Sequence, residues 1–140
     1  MINLQEKYKT FFGGICYAFC ICKKFQPKLS DAAIAMLTLQ GWNDGFIDDD
    51  GYISKPLEFI NLVSGKRFRD INKVPFSKEN LTEDENIVMY EYNDGTHFVI
   101  MDQNADVIFD PSGFSNSVKY GIPVSIRKFV SWQIFLNFVR

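Results

Sequence analysis

Between residues 86 and 110 the chain alternates strand-forming runs with tight-turn signals, and this fixes a local topology before anything else is considered. Ile87-Val88-Met89-Tyr90-Glu91-Tyr92 is β-branched and aromatic, and Asn93-Asp94-Gly95-Thr96 carries the Asp-Gly signal of a two-residue hairpin. Residues 96–101 form the returning strand. Gln103-Asn104-Ala105-Asp106 then turns again, and Val107-Ile108-Phe109-Asp110 comes back before Pro111. The result is an antiparallel meander. A further strand pair is expected at 117–120 and 123–128, with 132–138 as a last strand or short helix.

Upstream the pattern is helical. A helix over about 15–24 follows Gly13-Gly14, a pair free enough to make the tight turn that aims it. A second, over about 30–40, has Ser30 as N-cap, a Leu29/Ile34 hydrophobic staple and Gly41 at the C-terminal cap. A third, over about 56–64, opens on Pro56 and stops before Gly65. Helices packed on a C-terminal antiparallel sheet, about 86–128, make the fold class α+β. With 140 residues, 46% of them hydrophobic, the chain reads as one domain (1–140) with a substantial core.

Charge and cysteine usage narrow the function classes. A net charge of −2 leaves no basic footprint for nucleic acid, and the run Lys66-Arg67-Phe68-Arg69 is offset at once by Asp70. The apolar run over 11–22 falls short of the roughly 20 residues needed to cross a bilayer, and no small-residue cleavage site follows it. Three cysteines crowded onto one helix cannot staple distant parts of the fold, so reduced thiols and a cytoplasmic setting are expected. The acidic segment Trp42-Asn43-Asp44-Gly45-Phe46-Ile47-Asp48-Asp49-Asp50-Gly51 fails as a calcium loop. With its glycine at the sixth position, Phe46 and Leu57 stand where carboxylates are required. One histidine beside helically spaced cysteines is a poor zinc set, so neither metal nor cofactor is expected.

The meander also carries chemistry. If Gln103–Asp106 turn tightly, Asp102 opposes Val107 and Val99 opposes Asp110, which puts His97 two places along on the same face. Diagonal neighbours on one face lie about 7–8 Å apart, within reach of a carboxylate–imidazole hydrogen bond. The preceding turn, taken at Asp94-Gly95, sets Tyr92 opposite His97. A carboxylate that orients an imidazole is half of a nucleophilic site, because it fixes the tautomer while the other ring nitrogen takes a proton. A cysteine at a helix start is the other half, favoured there by the helix dipole and backbone N–H groups. Cys16 is placed for this; Cys20 and Cys22 read as core.

Gly13-Gly14-Ile15-Cys16 opening an apolar helix, His97-Phe98-Val99-Ile100 in a strand, and Asp110-Pro111 closing the next strand together resemble the papain-like cysteine peptidase superfamily. The likeness is to its double-glycine-leader peptidase-like branch and to short uncharacterised bacterial or prophage members. The chain order Cys, His, Asp and the helices-then-sheet layout match as well. The resemblance implies a thiol hydrolase or acyltransferase acting on a peptide or amide bond through a thioester. Cys16 would be the nucleophile, His97 the general base and then acid, and Asp110 the orienting residue. Where that family carries an oxyanion-donating glutamine shortly before the cysteine, this chain has Thr10, and Gln5 is the sole upstream glutamine. Gln5 and Thr10 are therefore the oxyanion candidates. The implied partner is a peptide or protein substrate, with no nucleic acid and no membrane. Two alternatives stand beside this reading. One is a papain-like binding or regulatory domain that has lost turnover, favoured by Thr10. The other is a redox protein using Cys16 and Cys20, disfavoured by the Cys-x-x-x-Cys spacing.

Overall fold

Ser30 caps the second helix as its sequence asks, its hydroxyl accepting the Ala33 N–H at 3.2 Å, while Leu29 and Ile34 pack into one core cluster. The computed structural model in which this is seen describes Phe11, residues 14–113 and residues 115–132. Its elements in chain order are α1 (Cys16–Phe25), α2 (Asp31–Asn43), α3 (Pro56–Ser64), β1 (Phe68–Pro75), a 3-10 turn (Lys78–Asn80), β2 (Asn86–Tyr92), β3 (Gly95–Met101), β4 (Val107–Phe109), α4 (Asn116–Tyr120) and β5 (Ile122–Ser131). The chain is α+β, and its five strands form one antiparallel sheet in the order β1-β5-β2-β3-β4.

Three expectations need correction, and a fourth goes untested. The sheet starts at Phe68 rather than near 86. β1 is an edge strand in which Phe68 alone is buried, so its charged sequence gives no alternating apolar signal. Residues 117–120 are helical, not a strand, because the Ser115 hydroxyl accepts the Val118 N–H and starts α4. Gly41 is not a cap but lies inside α2, where a Cβ would come within 2.8 Å of the Phe59 ring. Its missing side chain is a packing requirement between α2 and α3. The element expected at 132–138 falls, past Trp132, outside the described residues.

Both faces of the sheet are covered, which explains the unbroken apolar reading of β2. Ile87 and Met89 of β2 and Phe98 and Ile100 of β3 join Ala18, Ile21 and Phe59 on the helical side. Val88, Tyr90, Val99, Met101 and Ile126 form a second cluster with Leu81, and Val118 of α4 packs against it. Each Ile or Val sealed in this way stabilises the fold by about 1.5–3 kcal/mol. No helix among the described residues is long and apolar enough to cross a membrane.

Candidate active site

The first turn of α1 is held in place by backbone. Ile15, its N-cap, offers no side-chain acceptor, and Cys16 is the first helical residue. Gly14, just upstream, packs so tightly on the loop over 48–52 that a Cβ would sit 2.1 Å from the Asp50 carbonyl oxygen. Gly51 reciprocates: at φ +88° its own Cβ would lie 2.0 Å from the Phe11 carbonyl oxygen. The aspartates that looked like a calcium loop stiffen this wedge. Asp48 Oδ1 accepts the N–H groups of Asp50 and Tyr52 at 2.9 and 3.0 Å, and Trp42 Nε1 donates to Asp49 at 2.7 Å. Gly13, the other half of the glycine pair, and both oxyanion candidates, Gln5 and Thr10, lie outside the described residues.

His97 arrives by a register slightly different from the expected one. Asn93 and Asp94, at φ +48° and +62°, are the two turn residues, so Tyr92 pairs with Gly95 and Tyr90, not Tyr92, faces His97. The slip is two residues, and a two-residue slip preserves the face. At the next turn Met101, not Asp102, opposes Val107, and a bulge then restores the expected alignment at Ile100 and Phe109. The Asp102 backbone is taken up by Asp106 within the turn, its N–H donating to that carbonyl at 3.0 Å.

His97 Nε2 meets Asp110 Oδ1 at 2.6 Å, with each side chain 9% exposed. Burial on its own would lower the His97 pKa. Side-chain hydrogen bonds with Cys16 and Asp110, and the charges of both, outweigh it and hold His97 above its ordinary value. With Nε2 committed to Asp110, Nδ1 is the nitrogen left for the Cys16 thiol. Burial would likewise raise Asp110, but hydrogen bonds from Ser115, His97 and the Ser112 backbone, with the His97 charge, keep it below its ordinary value. Asp110 therefore stays ionised and acceptor-only. The structure thus sets Cys16 beside the hydrogen-bonded pair His97–Asp110.

Ser115 is the member that sequence reasoning missed. Its hydroxyl donates to Asp110 Oδ2 at 2.7 Å, and its N–H reaches the same oxygen at 3.3 Å. The Ser112 N–H binds Oδ1 at 3.0 Å, so the turn-capping role open to an aspartate before proline is fulfilled as well. The available signal was Ser115 as an N-cap shortly after Asp-Pro. The other two thiols are sealed. Cys20 is fully buried and its pKa is pushed well up by burial, and burial takes Cys22 to about 12.

One aromatic contact ties the helix of Cys16 to the strand of His97. Tyr17 stacks on Phe98 with centroids 4.3 Å apart and planes at 16°. The Arg127 guanidinium lies 5.1 Å from the Phe98 centroid and 5.9 Å from that of Tyr17. Burial pushes Tyr17 up to about 12 although Arg127 opposes it, so its ring stays neutral. Among the described residues no group of three or more His, Cys, Asp or Glu could hold a metal ion. No protein family, curated protein or solved structure matches this chain.

Proposed function

We propose that this chain is a papain-like thiol hydrolase or acyltransferase of the cysteine peptidase type, acting on a peptide or amide bond in the cytoplasm without metal or cofactor. The observation that carries the reading is Cys16, at a helix start, beside the hydrogen-bonded pair His97–Asp110. In the first half-reaction His97 Nδ1 takes the Cys16 proton as sulfur bonds to the substrate carbonyl carbon. The oxyanion so formed is met by N–H groups at the start of α1, with Gln5 and Thr10 as the side-chain candidates. The imidazolium, held by Asp110 through Nε2–H, then gives its proton to the leaving nitrogen, and the C–N bond breaks to leave a thioester. In the second half, His97 draws a proton from water, or from an acceptor amine or alcohol. The new nucleophile displaces sulfur, which recovers its proton.

The test is labelling of intact protein with iodoacetamide across pH, located by mass spectrometry, in wild type and His97→Ala. Cys16 is expected to label selectively near neutral pH, and the variant to lose about 10²-fold or more of that rate, the usual worth of a positioned base. Equal, slow labelling of all three thiols in both proteins would defeat the proposal. Selective labelling without hydrolysis of a peptide library would favour the second reading, a binding domain without turnover, which Thr10 at the glutamine position supports.

A further inference from the structure

A groove of about 340 Å³ begins at Asp110, the residue that holds the His97 ring from behind. Val107, Phe109 and Val118 contribute apolar walls, and Gly113, Ser115 and Lys119 complete the described lining with Asp110. Ile108, also on the rim, is 54% exposed. The β-bulge explains it. Between the pairs Ile100–Phe109 and Met101–Val107 one residue of β4 is unmatched, and that residue is Ile108. Bulges of this kind re-aim a side chain and recur beside active sites.

The position of the groove says what it would hold. The acid that protonates the leaving nitrogen is His97, so the leaving side of the substrate passes over the ring, away from Cys16. Asp110 lies on that side of the ring, and the groove opens from Asp110. A second copy of the chain is a poor occupant, because β4 has only three residues and carries the bulge, which denies a partner strand a long edge to pair with. We infer that this groove is the leaving-group subsite and that it takes an apolar side chain directly after the scissile amide. The substrate class is then a peptide with a residue such as leucine, valine or phenylalanine at that place. This rests on the proposed function for its orientation.

The probe is an iodoacetyl group on the N-terminus of short peptides, which extends from the Cys16 sulfur in the leaving direction. The quantity read is the Cys16 alkylation rate for each peptide divided by that for iodoacetamide, a ratio defined whether or not Cys16 is activated. Leucine or phenylalanine in the first place is expected to raise the ratio at least about tenfold over aspartate or glycine, equivalent to about 1.4 kcal/mol of binding. Ile108→Lys and Val118→Asp should abolish the difference, each ratio being taken against iodoacetamide labelling of the same variant. A ratio that ignores the first residue, or a preference that survives both substitutions, overturns the inference. So would a concentration-dependent dimer in sedimentation that Ile108→Lys abolishes, since the rim would then be covered by a second copy. Loss of the iodoacetamide difference between wild type and His97→Ala would defeat the enzyme reading instead, and leaves the ratio still to decide the groove.

Discussion

The Tyr17–Phe98 stack should set the Cys16–His97 separation, because its two rings belong to the residues immediately after Cys16 and His97 in the chain. Replacing Phe98 with leucine keeps an apolar side chain in the gap but removes the stacked face and the seat of the Arg127 cation. Ring stacking is worth about 0.5–1.5 kcal/mol beyond area burial. A partly shielded cation over a ring adds roughly 0.5–2 kcal/mol. Phe98→Leu is therefore expected to cost about 1–3.5 kcal/mol, out of a total that for such domains is about 5–15 kcal/mol. Urea titrations of wild type, Tyr17→Leu, Phe98→Leu and the double variant close a cycle whose coupling should be about 0.5–1.5 kcal/mol. If that coupling holds thiol against ring, its loss cuts the population of the paired geometry by about two- to tenfold, since 1.4 kcal/mol is tenfold. Cys16 alkylation under native conditions should slow by the same factor in each single variant. Additive stabilities together with wild-type labelling would refute the clamp.

Two further outcomes follow from the carboxylate. Ser115→Gly removes the hydroxyl from Asp110 at an N-cap that tolerates glycine for only a few tenths of a kcal/mol. Urea titration should therefore show a larger loss, about 1.5 kcal/mol or more for a hydrogen bond to a charged group, with Cys16 labelling slowed and Ser115→Thr restoring both. A loss no greater than the cap's would deny Ser115 its positioning role. The second outcome concerns pH. His97 is raised by its partners, so its contribution is full below its unfolded pKa and is lost as pH rises through the folded one. Asp110 is lowered, so its contribution is full above its unfolded pKa and is lost as pH falls through the folded one. The destabilisation caused by Asp110→Asn should thus peak between about pH 4 and 6.5, the ordinary values of the two groups. An effect that stays level from pH 3 to 9 would contradict the ion pair.

The parts legible in the sequence share a physical cause, namely signals contained within a few residues. Ser30, Pro56 and Gly65 mark helix ends by satisfying backbone groups locally, and the helices lie close to where they point. The meander was legible because Asn93-Asp94-Gly95 tolerates positive φ and little else fits between two apolar runs. What escaped was set by partners distant in sequence. β1 is a strand only because β5 pairs with it, and the charged residues that hide it from pattern reading protect the sheet edge. Gly41 looked like a stop because glycine often is one. Its real constraint, the Phe59 ring of the next helix, is invisible along the chain.

The candidate site shows the same division and gives it a use. Facing of His97 and Asp110 depended on the β3–β4 register alone, and it survived a one-residue error at the turn because a bulge cancelled it. That cancellation is what strands Ile108 outside the ladder. The irregularity that keeps Asp110 on the histidine is therefore the same one that exposes an isoleucine beside it. A regular hairpin could align the carboxylate, or bury Ile108, without creating a groove. With the bulge, β4 does the aligning and furnishes an apolar rim beside Asp110. If the site binds a peptide, orientation of the base and choice of substrate were settled together by one unmatched residue. Deleting Ile108 should then remove the groove's preference and shift Asp110 relative to His97, whereas Ile108→Lys should remove only the first.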